Sequence, residues 1–246
     1  MAGMLGLLYG VVSYAIFLVT FLYAIAFVGG YDQLVPKAID TGTPTELWGS
    51  IVVNLVLMSI FALQHSIMAR PAFKAWWTKV VPPSVERSTY VLLSNAALIL
   101  LYWQWRPMPE AVWDVQNEIG RGALEGLFFF GWLIVLISTF MIDHFGLFGL
   151  RQVMCRMIGK EAPHPSFKEP GLYKIVRHPI MLGFIIAFWA APTMSQGHLL
   201  FAAVTTAYIL VALQLEERDL MGAFGDKYVD YRSRVRMILP IPRKRP

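Results

Sequence analysis

Cysteine and charged residues are both scarce in this 246-residue sequence. The single cysteine, Cys155, excludes an internal disulfide and any metal site built from cysteines alone, which leaves His and carboxylate side chains as possible ligands. Charged residues make up 15% of the chain, whereas 57% is hydrophobic and 14% aromatic. A soluble domain needs more polar surface than this, so the composition predicts an integral membrane protein.

Basic residues are also absent from the start of the chain, where no Lys or Arg precedes Lys37. The first apolar run, from Leu5 to Val28, is longer than the core of a signal peptide. We therefore interpret it as a retained membrane helix.

Long apolar runs follow one another along the chain, and about 20 such residues cross a bilayer as a helix. We predict an all-α integral membrane protein with about five membrane-spanning units. Four are full helices and the fifth is a helical hairpin of two shorter pieces, 180–193 and 199–215. The four full helices are predicted at 5–28, 48–68, 88–105 and 122–142.

We treat residues 1–246 as one domain with four parts. The four-helix part covers 1–142, a cytoplasmic hinge 143–179, the hairpin 180–215 and a cytoplasmic tail 216–246. Apolar residues in the tail repeat at helical spacing, which predicts an amphipathic helix folded over the cytoplasmic face. The basic end of the tail, Arg243-Lys244-Arg245, is expected to bind anionic lipid.

The basic residues divide unevenly between the segments that connect these helices. Of the 21 Lys and Arg residues, 18 fall in segment 69–87, segment 143–179 and the tail from 216 onward. Cytoplasmic loops carry such an excess of positive charge, so both termini and the hinge are predicted to face the cytoplasm. We therefore attribute the net charge of +5 to the distribution of basic residues that membrane topology requires. We expect the lipid bilayer as a partner and do not expect nucleic acid.

Ionisable residues gather at the same ends of these helices. Because such groups are costly at membrane depth, they indicate function rather than chance. They are His65, Asp143-His144, His164, His178 and Glu216-Glu217.

The hinge ends in Arg177-His178-Pro179, directly before an apolar run. Pro179 suits the first position of a helix, because its fixed φ is helical and its missing N–H is not needed there. The start of a helix attracts anions, so Arg177 and His178 are predicted to hold an anionic group. Gly183, one turn later, is predicted to let a flat ligand approach the backbone.

The last third of the chain resembles the isoprenylcysteine carboxyl methyltransferase family. The resemblance lies in Gly171-x-Tyr173, Arg177-His178-Pro179 with Gly183, Glu216-Glu217-x-x-Leu220 and Gly225-x-x-Tyr228-x-x-Tyr231. It implies an S-adenosylmethionine site between the hinge, the hairpin and the folded-back tail. The residues it places at the cofactor are Tyr173, His178, Gly183, Glu217 and Tyr231. We expect Gln152, Arg177 and Glu216 to contribute to the same site.

Nearly the whole chain also resembles the membrane methanethiol S-methyltransferases, bacterial enzymes related to NnrU-like proteins. The matching runs start at Gln64-His65, Glu86-Arg87 and Asp143-His144-Phe145. The resemblance implies methyl transfer from S-adenosylmethionine to methanethiol, giving dimethyl sulfide and S-adenosylhomocysteine, in a bacterial inner membrane with the active site facing the cytoplasm.

The acceptor of such a reaction is a thiolate, so a base near the thiol is expected, whereas no metal is required. Asp143, His144, Glu86 and Arg87 are the catalytic candidates at the predicted membrane face. We favour His144 as the base, because an imidazole ordinarily titrates near neutral pH, and keep Glu86 as the alternative. A small apolar pocket for the volatile thiol is predicted from His65, Met68, Tyr90 and Phe145.

Three other functions also fit the sequence. The enzyme could methylate a larger thiol or a lipid-linked, prenylcysteine-like carboxylate; the histidines could bind haem; or the chain could be a non-catalytic accessory membrane protein. The sequence leaves the oligomeric state and the route of thiol entry open.

Overall fold

The computed structural model describes residues 2–163 and 166–241. Within these ranges the chain is mostly helical, which confirms the predicted all-α class. The basic end Arg243-Lys244-Arg245 and His164 lie outside the described residues. The helices are α1 (Ala2–Val28), α2 (Leu47–Ala69), α3 (Pro71–Trp77), α4 (Pro83–Gln104), α5 (Glu118–Ile142), α6 (His144–Leu147), α7 (Leu150–Met157), α8 (Pro179–Trp189), α9 (Gln196–Phe224) and α10 (Asp226–Arg234).

Two short strands and one 3₁₀ turn complete these elements. The strands β1 (Ala111–Asp114) and β2 (Thr193–Ser195), which the sequence did not predict, pair in a two-stranded sheet. The 3₁₀ turn covers Gly171–Lys174 in the hinge. The helix starts follow local chemistry: the Glu46 carboxylate accepts from the Trp48 N–H at 2.8 Å before α2, and Pro179 opens α8 as predicted.

Within residues 2–163 and 166–241, four helices are long and apolar enough to cross a bilayer: α1 from Gly3, α2, α5 and α9. The helix α9 differs from the prediction. It is the second arm of the predicted hairpin, but it is not a short piece ending at residue 215. It continues past Glu216 and Glu217 to Phe224 and spans 29 residues. The predicted third helix exists as α4, but it is more polar than the others and buries Glu86, Ser88, Ser94 and Asn95.

The chain forms two compact units. The first contains α1 to α4, α6, α7 and the first residues of α9. In it, α4 packs against α1 and α2, and α7 packs against α1. Gly149 has φ +87° before α7, and a Cβ there would lie 2.7 Å from the Ser88 nitrogen, so a glycine is needed at this turn.

The second unit contains α5, α8, most of α9 and α10. Its main helix pair is α5 with α8. Between α9 and α10 the chain turns at Gly225, where φ is +56°. The apolar face predicted for the tail is present but is divided by this turn: Tyr228, Tyr231 and Val235 are buried, with Leu220 and Phe224 packed against them.

Candidate functional site

The second unit contains a buried ion pair between the hinge and α9. Arg177 donates from Nε to Glu217 Oε1 at 2.7 Å, and Nη1 donates to the Val235 carbonyl. Arg177 is only 5% exposed and Glu217 only 2%. The anionic group that Arg177 holds in this structure is the carboxylate of Glu217, and its contact with the cofactor stays a prediction.

The tail is bonded to the hinge through the backbone as well. Val176 and Arg236 form a parallel bridge. The Arg177 N–H donates to the Arg236 carbonyl at 2.9 Å, and the His178 N–H donates to the Met237 carbonyl at 3.1 Å. The tail thus folds back onto the start of α8, and the Arg177–Glu217 pair holds it there.

His178 lies between two carboxylates at the start of α8. Its Nε2 is 3.1 Å from Glu217 Oε1, and its Nδ1 is 3.8 Å from Glu216 Oε2. His178 is 7% exposed, whereas the Glu216 side chain is 45% exposed. His178, Glu216 and Glu217 therefore lie close together, as predicted, and Glu216 is the most exposed of the three.

Tyr173 and Tyr231 use their hydroxyls within the unit. Tyr231 donates to the Tyr173 carbonyl at 2.6 Å, and Tyr173 donates to the Ser138 carbonyl at 3.4 Å. Burial raises the pKa of both phenols, so both stay protonated donors at neutral pH. They therefore fasten the tail to the hinge and the hinge to α5.

Gly183 has a different role from the one predicted. A Cβ at this position would lie 2.6 Å from the Gly131 carbonyl oxygen and 2.9 Å from the Val135 nitrogen. A Cβ at Gly131 would in turn lie 2.6 Å from the Ala187 nitrogen. The space left by Gly183 is filled by the backbone of α5, so it serves helix packing and is not open to a flat ligand.

One buried acceptor in this cluster is unsatisfied. Glu217 Oε2 accepts no hydrogen bond from the described residues, although Arg232 Nε lies 3.4 Å away. A buried carboxylate oxygen without a donor is unfavourable, so a ligand hydroxyl or ammonium would stabilise it. This donor requirement fits the ribose or amino group of S-adenosylmethionine. Glu217, His178 and Glu216 are thus suited to hold that cofactor.

Gln152, the remaining predicted cofactor residue, lies in α7 in the first unit. Its Nε2 donates to the Gly146 carbonyl at 3.0 Å, and its buried Oε1 accepts no hydrogen bond within the described residues. Its place at the cofactor stays a prediction.

Asp143 and His144 are separated by a break in the helix. Asp143 ends α5, with an extended φ of 179°, and His144 begins α6. His144 is 6% exposed, and its Nε2 lies 2.8 Å from the hydroxyl of Tyr14 on α1. Its ring also contacts Phe148 edge-on, with centroids 4.9 Å apart. The first unit therefore surrounds this imidazole with aromatic rings and a phenol.

A second histidine of the first unit also pairs with a tyrosine. The Tyr90 hydroxyl lies 2.9 Å from His65 Nε2, and Met68 packs in the same cluster as Tyr90. Three predicted pocket residues are thus brought together. The fourth, Phe145, is 47% exposed and its ring meets His144 with centroids 5.4 Å apart, whereas Phe148 packs against the cluster of Met68 and Tyr90.

Glu86 and Arg87 lie beside this cluster on α4. Arg87 donates from Nε to the Leu147 carbonyl at 2.7 Å, and its guanidinium lies 4.7 Å from the centre of the Tyr90 ring. Glu86 is 8% exposed, and its Oε1 accepts no hydrogen bond within the described residues. Arg87 thus positions the α6 turn and Tyr90, while Glu86 keeps a free buried acceptor.

The sequence did not single out three members of these clusters: Tyr14, Phe17 and Phe148. The Phe17 and Phe148 rings stack with centroids 3.8 Å apart. Tyr14 could have been noticed in the sequence, because its hydroxyl lies within the apolar run of α1. Its partner could not, because His144 is 130 residues away. In the described ranges no group of three or more His, Cys, Asp or Glu residues is arranged to hold a metal ion.

Comparison with known proteins identifies the family of this chain. Residues 53–215 match the family model described as NnrU protein. The chain therefore belongs to the NnrU family. A methanethiol S-methyltransferase 2 from Bradyrhizobium diazoefficiens is 60% identical over 234 residues, covering 95% of this chain and 89% of that protein. The methanethiol S-methyltransferase of Mycobacterium tuberculosis is 58% identical over 240 residues, 98% of each chain.

These relatives confirm the predicted resemblance to the membrane methanethiol S-methyltransferases. A more distant relative, nurim from Mus musculus, is 31% identical over 184 residues, covering 71% of this chain and 70% of that protein. No solved structure matches the chain.

Proposed function

We propose that this membrane protein transfers a methyl group from S-adenosylmethionine to methanethiol at the cytoplasmic face of the membrane. The observation that carries the proposal is the 58–60% identity, over nearly the full chain, to enzymes named for this substrate. In the reaction the methyl–sulfonium bond of the donor breaks, a carbon–sulfur bond to methanethiol forms, and the thiol proton leaves. The products are dimethyl sulfide and S-adenosylhomocysteine.

The second unit supplies the groups for the cofactor. Glu217 Oε2 would accept a hydroxyl or ammonium hydrogen, and His178 and Glu216 would add two further polar contacts. Arg177 orients Glu217 through the 2.7 Å hydrogen bond to its Oε1, and Tyr231 holds the tail over the hinge. When bound, the cofactor supplies a methyl group already activated on a sulfonium, so the protein needs chiefly to orient the reactants and exclude water.

The first unit supplies the groups for the thiol. His65, Met68, Tyr90 and Phe148 provide a small apolar site with polar groups at its edge. We assign proton acceptance to His144, with Glu86 as the alternative base. The Tyr14 hydroxyl can pass a proton to His144 Nε2, because a phenol both donates and accepts.

The direct test is an assay of the purified protein with S-adenosylmethionine and a panel of thiols and prenylcysteine analogues. We expect dimethyl sulfide in the headspace by gas chromatography, formed only with methanethiol and the cofactor together. Turnover of the prenylcysteine carboxylate in its place would assign the alternative acceptor. Visible absorbance of the same sample would reveal haem.

The sidedness needs its own test. Cysteines introduced at Lys79 and Lys168, in a Cys155→Ser background, should be shielded from an impermeant thiol reagent in intact cells, whereas cysteines at Lys37 and Asp114 should react. Labelling at Lys168 from outside would reverse the orientation and place the cofactor site away from its cytoplasmic supply.

A further inference from the structure

A cavity of 310 Å³ lies in the first unit, where the loop after α1 meets the end of α4. Its lining includes Lys37, Thr43, Trp103, Gln104 and Arg106. The volume is at the lower end of the range of small-molecule sites, so it suits a single headgroup-sized ligand. The proposed reaction makes no use of this region.

The backbone around the cavity is held by buried hydrogen bonds. The Asn54 side chain donates to the Arg106 carbonyl and accepts from the Arg106 N–H, both at 2.8 Å. Trp105 donates from its indole to the Ile39 carbonyl at 2.9 Å. Because Asn54 and Trp105 are fully buried, Arg106 and the loop from Ile39 are held in place before any ligand binds.

Lys37 and Arg106 give the cavity a positive charge. They are its only charged lining residues, and within the described ranges neither forms an ion pair. Lys37 donates only to the Trp103 carbonyl, at 2.9 Å. Burial, and then the charge of Arg106, lower the pKa of Lys37, so the two cations oppose each other here.

Arg121 provides a contrast. It is the third basic residue in the segments predicted to face away from the cytoplasm, and it pairs with Asp114 at 2.8 Å. Lys37 and Arg106 have no such carboxylate among the residues that the structure describes. An anion in the cavity would take its place.

We propose that this cavity binds a phosphate-bearing anion through Lys37 and Arg106. The guanidinium of Arg106 presents a fork of N–H donors that matches phosphate oxygens, and Lys37 adds a point charge. The source of the phosphate is either a phospholipid headgroup or free phosphate. Trp103 is 71% exposed on the same rim, and tryptophans at this level are typical of the headgroup region, which favours the lipid.

The test uses the full-length protein in a neutral detergent, with a fluorophore on Pro109→Cys in a Cys155→Ser background so that only binding near this cavity is detected. It is titrated with dioctanoyl phosphatidylglycerol, dioctanoyl phosphatidylcholine or inorganic phosphate. Each cation near a lipid surface contributes about 1 kcal/mol, so Lys37→Gln or Arg106→Gln should weaken phosphatidylglycerol binding about fivefold. The double variant should weaken it about 25-fold.

Arg121→Gln is the matched control and should bind as the parent does. Phosphatidylglycerol binding that persists in excess inorganic phosphate identifies the lipid as the ligand, whereas displacement by phosphate identifies the free anion. Equal binding of phosphatidylcholine, or a double variant that is folded by thermal unfolding yet binds phosphatidylglycerol unchanged, would overturn the proposal.

Discussion

His178 and His144 are both buried histidines at the start of a helix, yet their surroundings differ in kind. His178 lies against the Glu217 carboxylate, next to a buried guanidinium. His144 lies against the Tyr14 hydroxyl and the Phe148 ring. A carboxylate fixes the imidazole N–H as a donor, whereas a phenol can exchange donor and acceptor roles with it. We therefore propose His178 for cofactor binding and His144 for proton transfer.

The largest effect should come from removing the proton acceptor. General bases contribute about 10²–10⁴-fold to a rate, so His144→Ala should lower kcat by that order at neutral pH while S-adenosylmethionine affinity stays within twofold. Activity should recover in part as pH rises, because alkaline solvent supplies thiolate directly. Headspace gas chromatography across a pH series measures this.

Tyr14→Phe is the matched variant, because it keeps the ring contacts and removes only the hydroxyl bonded to His144. It should lower kcat about five- to tenfold, the value of one or two hydrogen bonds. A His144→Ala loss that does not change with pH, or no loss at all, would move the role of base to Glu86 or Asp143.

The second-largest effect should come from the ionic cluster of Arg177, His178 and Glu217. Glu217→Leu leaves the Arg177 guanidinium buried without its carboxylate, which costs about 3–5 kcal/mol in similar cases. The midpoint temperature of thermal unfolding in detergent should fall by on the order of 10 °C. Calorimetry should show S-adenosylmethionine binding lost in Glu217→Leu and weakened in His178→Ala.

The double variant Arg177→Met with Glu217→Leu separates stability from binding. It should unfold at a higher temperature than Glu217→Leu alone, because no unpaired buried charge remains. It should still fail to bind the cofactor. Asp226→Asn, which neutralises an exposed carboxylate of the same tail, should bind normally. Unchanged cofactor affinity in both Glu217→Leu and His178→Ala would remove the cofactor from this cluster.

This ionic cluster also shows what could be predicted from the sequence. Pro179 was correctly predicted to start a helix, because its constraint is local. The end of the hairpin was misplaced, because Glu216-Glu217 read as charges leaving the membrane. Glu217 instead stays inside α9 because Arg177, 40 residues away, neutralises it. A pair between distant segments has no signal at either position alone.

The aromatic clusters around His144 and Tyr90 could be predicted from the sequence to a similar degree. His65, Met68 and Tyr90 lie close together because they occupy the same ends of neighbouring helices, and their use as a thiol pocket stays a prediction. The choice between Phe145 and Phe148 depended on where α5 ends. After the break at Asp143, Phe148 packs against the cluster of Met68 and Tyr90, whereas Phe145 is 47% exposed and contacts the rings of Tyr14 and His144.

The third effect tests whether Gly183 serves packing or the cofactor. Gly183→Ala places a Cβ against the backbone of α5, and such overpacking costs about 1–3 kcal/mol. Gly131→Ala, outside every cofactor motif, should destabilise by a similar amount because it makes the reciprocal contact. Gly222→Ala has open space and should be neutral or slightly stabilising. Thermal unfolding without cofactor decides the matter: a stable Gly183→Ala protein that fails to bind S-adenosylmethionine would restore the ligand role.

The smallest effect separates two neighbouring phenylalanines of the aromatic side. Phe148→Leu keeps an apolar side chain but removes the ring that stacks on Phe17 and meets His144, and an aromatic pair contributes about 0.5–1.5 kcal/mol beyond its buried area. Phe145→Leu makes the same chemical change at a position that is 47% exposed and whose ring meets His144 at the longer centroid distance of 5.4 Å, so it should cost less stability than Phe148→Leu. If this cluster binds the thiol, Phe148→Leu should also raise the KM for methanethiol without changing the affinity for S-adenosylmethionine. Thermal unfolding and initial rates on the two variants measure both quantities, and an equal response at the two positions would contradict the assignment of Phe148 to the thiol site.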